Sequence, residues 1–103
     1  MNDRKNTMNA FHAANDQTAA RLAGFTEQAR RYADAAEEVA RRGSMYPFPG
    51  VDAIEAVRAA RLAESCAAIA GSDTADAHAK RARDAAETAM RRLATERTAE
   101  AEQ

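Results

Sequence analysis

The sequence predicts an all-α fold: a long N-terminal helix followed by an antiparallel helical hairpin, completed by oligomerisation. Three observations lead there. Gly and Pro gather at two main breaks, Gly43-Ser-Met-Tyr-Pro-Phe-Pro-Gly50 and Gly71-Ser-Asp73. The segments between them are rich in Ala, Arg and Glu, all strong helix formers. No β-branched run and no period-two alternation interrupts them. A single helical domain over residues 1–103 is expected.

The first helix is expected over about residues 8–42. Met8, Asn15, Leu22, Ala29 and Ala36 recur every seven residues, and Phe11, Thr18, Phe25, Tyr32 and Val39 repeat with the same period, offset by three. Together they form the 3-4 spacing of a coiled-coil-like seam. Small flanking residues such as Ala14, Ala19, Ala33 and Ala40 widen it and permit close helix approach. Outside the seam, Glu27/Arg31, Glu37/Arg41 and Glu38/Arg42 stand at i,i+4 in the favourable order. Gly43 occupies the place of a left-handed C-cap.

The second helix is expected over about 51–70, with Asp52-Ala-Ile-Glu55 as a capping box. Val51, Ile54, Leu62, Cys66 and Ile69 fall on one side of its helical wheel and mark its apolar stripe; Val57 sits at the margin, and Arg58 and Ser65 lie within it. The third helix is expected over about 73–97, capped by Ser72 or Asp73, before a frayed C-terminal tail. Its seam is nearly bare backbone: Ala75, Ala79, Ala82, Ala86, Ala89 and Leu93, with Met90 beside it. The short Gly71-Ser-Asp73 connection makes the last two helices an antiparallel hairpin. Bulky Phe11, Phe25 and Tyr32 then suit the shallow alanine surface of the third helix.

Composition points to a second copy. Of 103 residues, 29 are alanine, so the 46% hydrophobic content is mostly single methyl groups. Each buried methyl or methylene contributes only about 0.8 kcal/mol. The first helix is also longer than its two partners, leaving excess seam for another chain. Phe11, Asn15, Thr18, Leu22 and Phe25 are the oligomer-interface candidates, with polar Asn15 and Thr18 suited to fixing register.

The same arithmetic excludes several classes. No stretch approaches the roughly 20 apolar residues of a membrane helix. The start, Met1-Asn-Asp-Arg-Lys-Asn, lacks the apolar core of a signal peptide, so a cytoplasmic location is expected. One Cys excludes a disulfide framework, and Cys66 reads as a buried, inert thiol. Fifteen basic against 16 acidic residues give a net charge of −1, too balanced to recruit nucleic acid globally. His12/Asp16 and His78 near Asp76 offer at most two ligands where zinc needs three or four, so no metal and no cofactor are expected. No nucleophile elbow, phosphate loop or zinc-protease motif occurs, and no enzyme is expected.

Three binding readings remain. The linker concentrates Arg41, Arg42, Tyr46 and Phe48 beside Pro47 and Pro49, which stiffen the backbone. Tyr46 and Phe48 can plug the end of the bundle, dock another protein, or stack a base while the arginines hold a phosphate. Ala67-Ala-Ile-Ala-Gly71 followed by Lys80, Arg81 and Arg83 resembles part of a helix-turn-helix, and these three are weak nucleic-acid candidates. The hairpin lacks the W-x-G motif of small secreted WXG-type hairpins, since the chain has no Trp. Tyr46-Pro-Phe-Pro49 before Ile54, with Met90 and Leu93 late in the second arm, is similar to phage-encoded cyclic-nucleotide sponges over less than half the chain. That resemblance implies an oligomer sequestering a nucleotide. The reading from the residues is a non-enzymatic binding protein, self-associating, acting as an adaptor or inhibitor of another protein. Nucleotide sequestration and DNA-associated regulation are its alternatives.

Overall fold

A computed structural model describes the backbone of residues 2–42 and 48–102, and the side chains of 15–42 and 48–102. Three helices make up nearly all of it: α1 (Asn2–Arg42), α2 (Pro49–Ala70) and α3 (Asp73–Glu102). All three pairs of helices are in contact, so the architecture is an all-α three-helix bundle. It is a rod of 83 × 17 × 15 Å. Among the described residues no helix is long and apolar enough to cross a membrane. Helix α1 begins well before residue 8, and α3 stays helical through Glu102 rather than fraying after 97.

The hairpin turn follows its local chemistry. Gly71 ends α2 in the left-handed conformation, φ 63° and ψ 26°, and its N–H donates to the Ala67 carbonyl at 2.9 Å. A side chain there would be strained, which is the usual reason for Gly at this position. Ser72 caps α3, its Oγ accepting the Ala75 N–H at 3.1 Å. The same Oγ lies 3.1 Å from Thr26 Oγ1, which fixes the turn against α1. Everything of α1 before that level, about 35 Å of helix, projects beyond the hairpin, and residues 15–24 are exposed.

The start of α2 differs from the capping-box expectation. Phe48 is the N-cap residue, without a side-chain cap bond, and Pro49 is the first helical residue. Proline suits that position because its φ is preset and it has no N–H to leave unsatisfied. Asp52 therefore lies one turn inside the helix, its N–H donating to the Phe48 carbonyl at 3.1 Å. The proposed Gly43 cap lies outside the described residues.

The core is built from alanine. Ala56 and Ala63 of α2 and Ala82 of α3 are fully buried against Ala33, Ala36 and Val39 of α1. Toward the turn, Ala29 packs with Cys66, Ala67, Ala70, Ala75 and Ala79, and Phe25 and Tyr32 lean onto that cluster. Large-into-small packing of α1 onto the hairpin thus holds for Phe25 and Tyr32, with α2 as well as α3 supplying the shallow surface. The Phe11 side chain lies outside the described residues.

One expectation is reversed. The bulky stripe of α2 faces outward: Ile54 is 62%, Ile69 54% and Leu62 41% exposed, and Val51 is exposed too. Only Cys66 of that set is buried. The opposite, alanine face of α2 packs inward against the alanine-lined faces of α1 and α3. Close helix approach leaves room only for methyl groups there.

Ion pairs tie the helices together differently from the i,i+4 scheme. Glu27 does meet Arg31, at 3.6 Å, but also pairs with Arg30. Glu37 instead crosses to Arg81 of α3, and Arg42 crosses to α2, 3.5 Å from both Asp52 and Glu55. Glu38 takes Arg41 at 3.4 Å. Partners on neighbouring helices win because they are partly shielded from water, where a charge pair is worth more.

Candidate functional site

The outward stripe of α2 and the late part of α3 enclose an open groove of about 710 Å³. Its spacing is helical: Ile54, Val57, Arg58, Arg61, Leu62 and Ser65 come from one face of α2. Met90, Leu93 and Arg97 come from α3, where Met90 is 48% exposed. Small Gly50 and Ala53 form the end near the linker. Val57 leans on the alanine core, so the floor is anchored while the rim stays open. Exposed apolar surface gathered in one place marks a binding face more often than scattered residues do.

Charge is arranged around this floor. Arg58, Arg61 and Arg97 line the groove, and none of them has an ion pair or side-chain hydrogen bond among the described residues. Most other arginines of the bundle are engaged by carboxylates. The groove therefore presents an apolar strip bordered by three guanidinium groups open to an acidic partner.

At the groove's linker end stands a buried charge. Asp52 is only 1% exposed, and its Oδ2 accepts a hydrogen bond from Arg92 Nη1 at 2.8 Å. Arg42 reaches it from α1, and Arg92 in turn bonds Glu96 Oε1 at 3.2 Å. This junction ties all three helices together just below the groove.

A second network joins α1 to α3 on the far side. Arg81 donates to Asp34 at 2.8 Å and to Glu37, and meets His78 Nδ1 at 2.8 Å. The Arg81 hydrogen bond holds the Asp34 carboxyl below the ordinary aspartate range, against the opposing effect of desolvation, with the charges of Arg30, Arg81 and His78 adding to it. Glu27 is lowered in the same way, first by its bond from Arg30. A lowered carboxyl stabilises the fold above its unfolded pKa, and that contribution disappears as pH falls through the folded value. Thermal melts should accordingly be flat from neutral pH down to about 5 and decline below about 4. Arg81→Gln should shrink that acid-side decline.

The residues singled out in the sequence lie in several surroundings. Arg41 lines a smaller groove between α1 and α3 with Glu37, Arg81 and Asp84, while Arg42 turns to α2. Phe48 is 57% exposed at the head of α2, and Tyr46 lies outside the described residues. Arg81 and Arg83 are held by carboxylates, Arg83 by Glu64 at 3.3 Å, while Lys80 is exposed. Asn15, Thr18 and Leu22 lie exposed on the projecting part of α1, and Phe25 is half-buried at its root. Among the described residues no group of three or more His, Cys, Asp or Glu is placed to hold a metal ion.

Comparison with protein-family models, curated proteins and solved structures finds no match to this chain. Fold and site define it as a three-helix bundle with an alanine core and an arginine-rimmed apolar groove.

Proposed function

We propose that the chain is a non-enzymatic interaction protein that docks another protein in the α2–α3 groove. The partner element is an amphipathic helix with acidic flanks. The observation that carries this reading is the outward placement of Ile54, Leu62 and Met90 while alanines fill the core. In a small bundle short of apolar bulk, exposing the largest aliphatic side chains costs stability that burying them would supply. A binding role explains that placement. Helix-in-groove recognition uses such an apolar strip, with anchors at i, i+3/i+4 and i+7. The unpaired Arg58, Arg61 and Arg97 select the sign of the flanking charge.

The test uses two synthetic 18-residue helical peptides sharing one leucine stripe, flanked by Glu in one and by Lys in the other. Fluorescence anisotropy should show the Glu peptide binding the full chain, with affinity falling as salt rises. Arg58→Glu/Arg61→Glu should weaken it at least about tenfold without lowering the melting temperature. Equal binding of both peptides, or of neither, contradicts the proposal. Thermal stabilisation by adenosine monophosphate, lost in the same variant, would replace it with the small-ligand reading. Duplex-DNA binding that depends on Lys80 and falls steeply with salt would replace it with the nucleic-acid reading.

A further inference from the structure

Each arginine of the α2–α3 groove has an acid close to it in sequence, and each of those acids is engaged by a different arginine. Glu55 stands three positions before Arg58, Glu64 three after Arg61, and Glu96 next to Arg97. Yet Glu55 meets Arg42 at 3.5 Å, Glu64 meets Arg83 at 3.3 Å and Glu96 meets Arg92 at 3.2 Å. Two of these pairs cross between helices, and the third extends the junction around buried Asp52. Arg58, Arg61 and Arg97 are left exposed on the groove, without an ion pair or side-chain hydrogen bond among the described residues.

Contacts across the hairpin fix where these groups stand along the groove. Arg92 meets Asp52, Arg83 meets Glu64, and the turn lies at Gly71 and Ser72, so α2 and α3 are aligned along their shared length. That alignment puts Met90 near the level of Ile54, and Arg97 near that of Gly50 at the linker end. Arg58 and Arg61 follow Gly50 by eight and eleven residues along α2, a distance of about 12–17 Å. Ile54, Val57, Met90 and Leu93 supply the apolar surface between the two charged ends.

We propose that the groove reads the spacing of its partner's charges as well as their sign. The partner helix carries carboxylates at both ends of its apolar stripe, about three turns apart, one end held by Arg97 and the other by Arg58 and Arg61. Three turns of helix span about 16 Å and return both acids to one face. A helix lying along the groove then meets both charged ends while its apolar anchors cover the floor between them. Acids about one turn, or roughly 5–6 Å, apart can engage only one end. Charges placed in this way fix the register of the docked helix and disfavour helices whose acids fall elsewhere. This spacing preference rests on the groove being the docking site proposed above.

The test uses two helical peptides of identical composition and leucine stripe, matched in helicity by circular dichroism. One carries its Glu residues about three turns apart and the other about one turn apart. Anisotropy titrations with the full chain at low salt should show the spaced peptide binding about threefold to fivefold tighter, the scale of one exposed charge pair. Arg97→Gln should bring the two peptides level. Arg91→Gln should leave the difference intact, because Arg91 is exposed on α3 and does not line the groove. Equal affinities for the parent chain would overturn the spacing preference while leaving the groove reading in place. A difference that survives Arg97→Gln, or disappears in Arg91→Gln, would do the same. Binding of neither peptide would remove the groove reading and the spacing preference with it.

Discussion

Arg92→Ala is expected to lower stability by about 3 kcal/mol, toward the lower end for breaking a buried pair because Arg42 still reaches Asp52. At about 4–8 °C per kcal/mol for a domain of this size, the melting temperature should fall by roughly 12–24 °C. The cause is electrostatic: the Asp52 carboxylate is almost wholly buried, and Arg92 supplies its 2.8 Å hydrogen bond. Adding Asp52→Asn to Arg92→Ala removes the stranded charge and should recover part of the loss. A double variant no more stable than Arg92→Ala would trace the effect to the packing of the arginine stem instead. Circular dichroism melts of the three proteins settle the comparison.

The second large effect is steric. Ala63 has no exposed surface and lies where α2 meets the alanines of the other helices. Ala63→Leu inserts three heavy atoms into a space matched to one methyl, and overpacking of this kind costs about 1–3 kcal/mol. The helices must separate or the side chain must leave its preferred rotamer. The neighbouring Leu62 gives the opposite expectation: Leu62→Ala, on the open groove, should change stability by no more than about 0.5 kcal/mol. Urea denaturation of both variants reads the contrast, which a core with leucine inside would invert.

Much of the fold is legible in the chain. Gly71 with Ser72 announces the hairpin, and the heptad repeat from Ala29 to Val39 names the buried face of α1. Ala75, Ala79, Ala82, Ala86 and Ala89 do the same for α3. The orientation of α2 is misread because apolar size outweighs periodicity in a wheel argument. Ile54, Leu62 and Ile69 are the largest groups on that helix and draw the eye as core. Yet Ala53, Ala56, Ala60, Ala63, Ala67 and Ala70 repeat with an unbroken 3-4 spacing, and that signal identifies the inner face. An alanine seam on α3 is matched by an alanine seam on α2.

The candidate site was hidden for the same reason. Arg58 and Ser65 within the supposed stripe are conflicts if that face is core, and they disappear once it is outside. Arg97 joins them only through the packing of α3 beside α2, which spacing along one chain does not display. Asp52 illustrates a different limit. An acid three residues before Glu55 at a helix start reads locally as a cap, but Arg42 and Arg92 lie far away in sequence, and their convergence decides its role. Pro49 was the local sign that the helix begins earlier.

The Ile54→Ser/Leu62→Ser/Ile69→Ser variant in urea decides whether this bundle keeps methyl groups inside and its large aliphatic side chains outside for a partner. A midpoint and slope close to those of the parent chain are expected, within about 1.5 kcal/mol in total, together with loss of Glu-peptide binding. A variant that unfolds, as three buried aliphatic truncations at about 2–5 kcal/mol each would require, would contradict that arrangement.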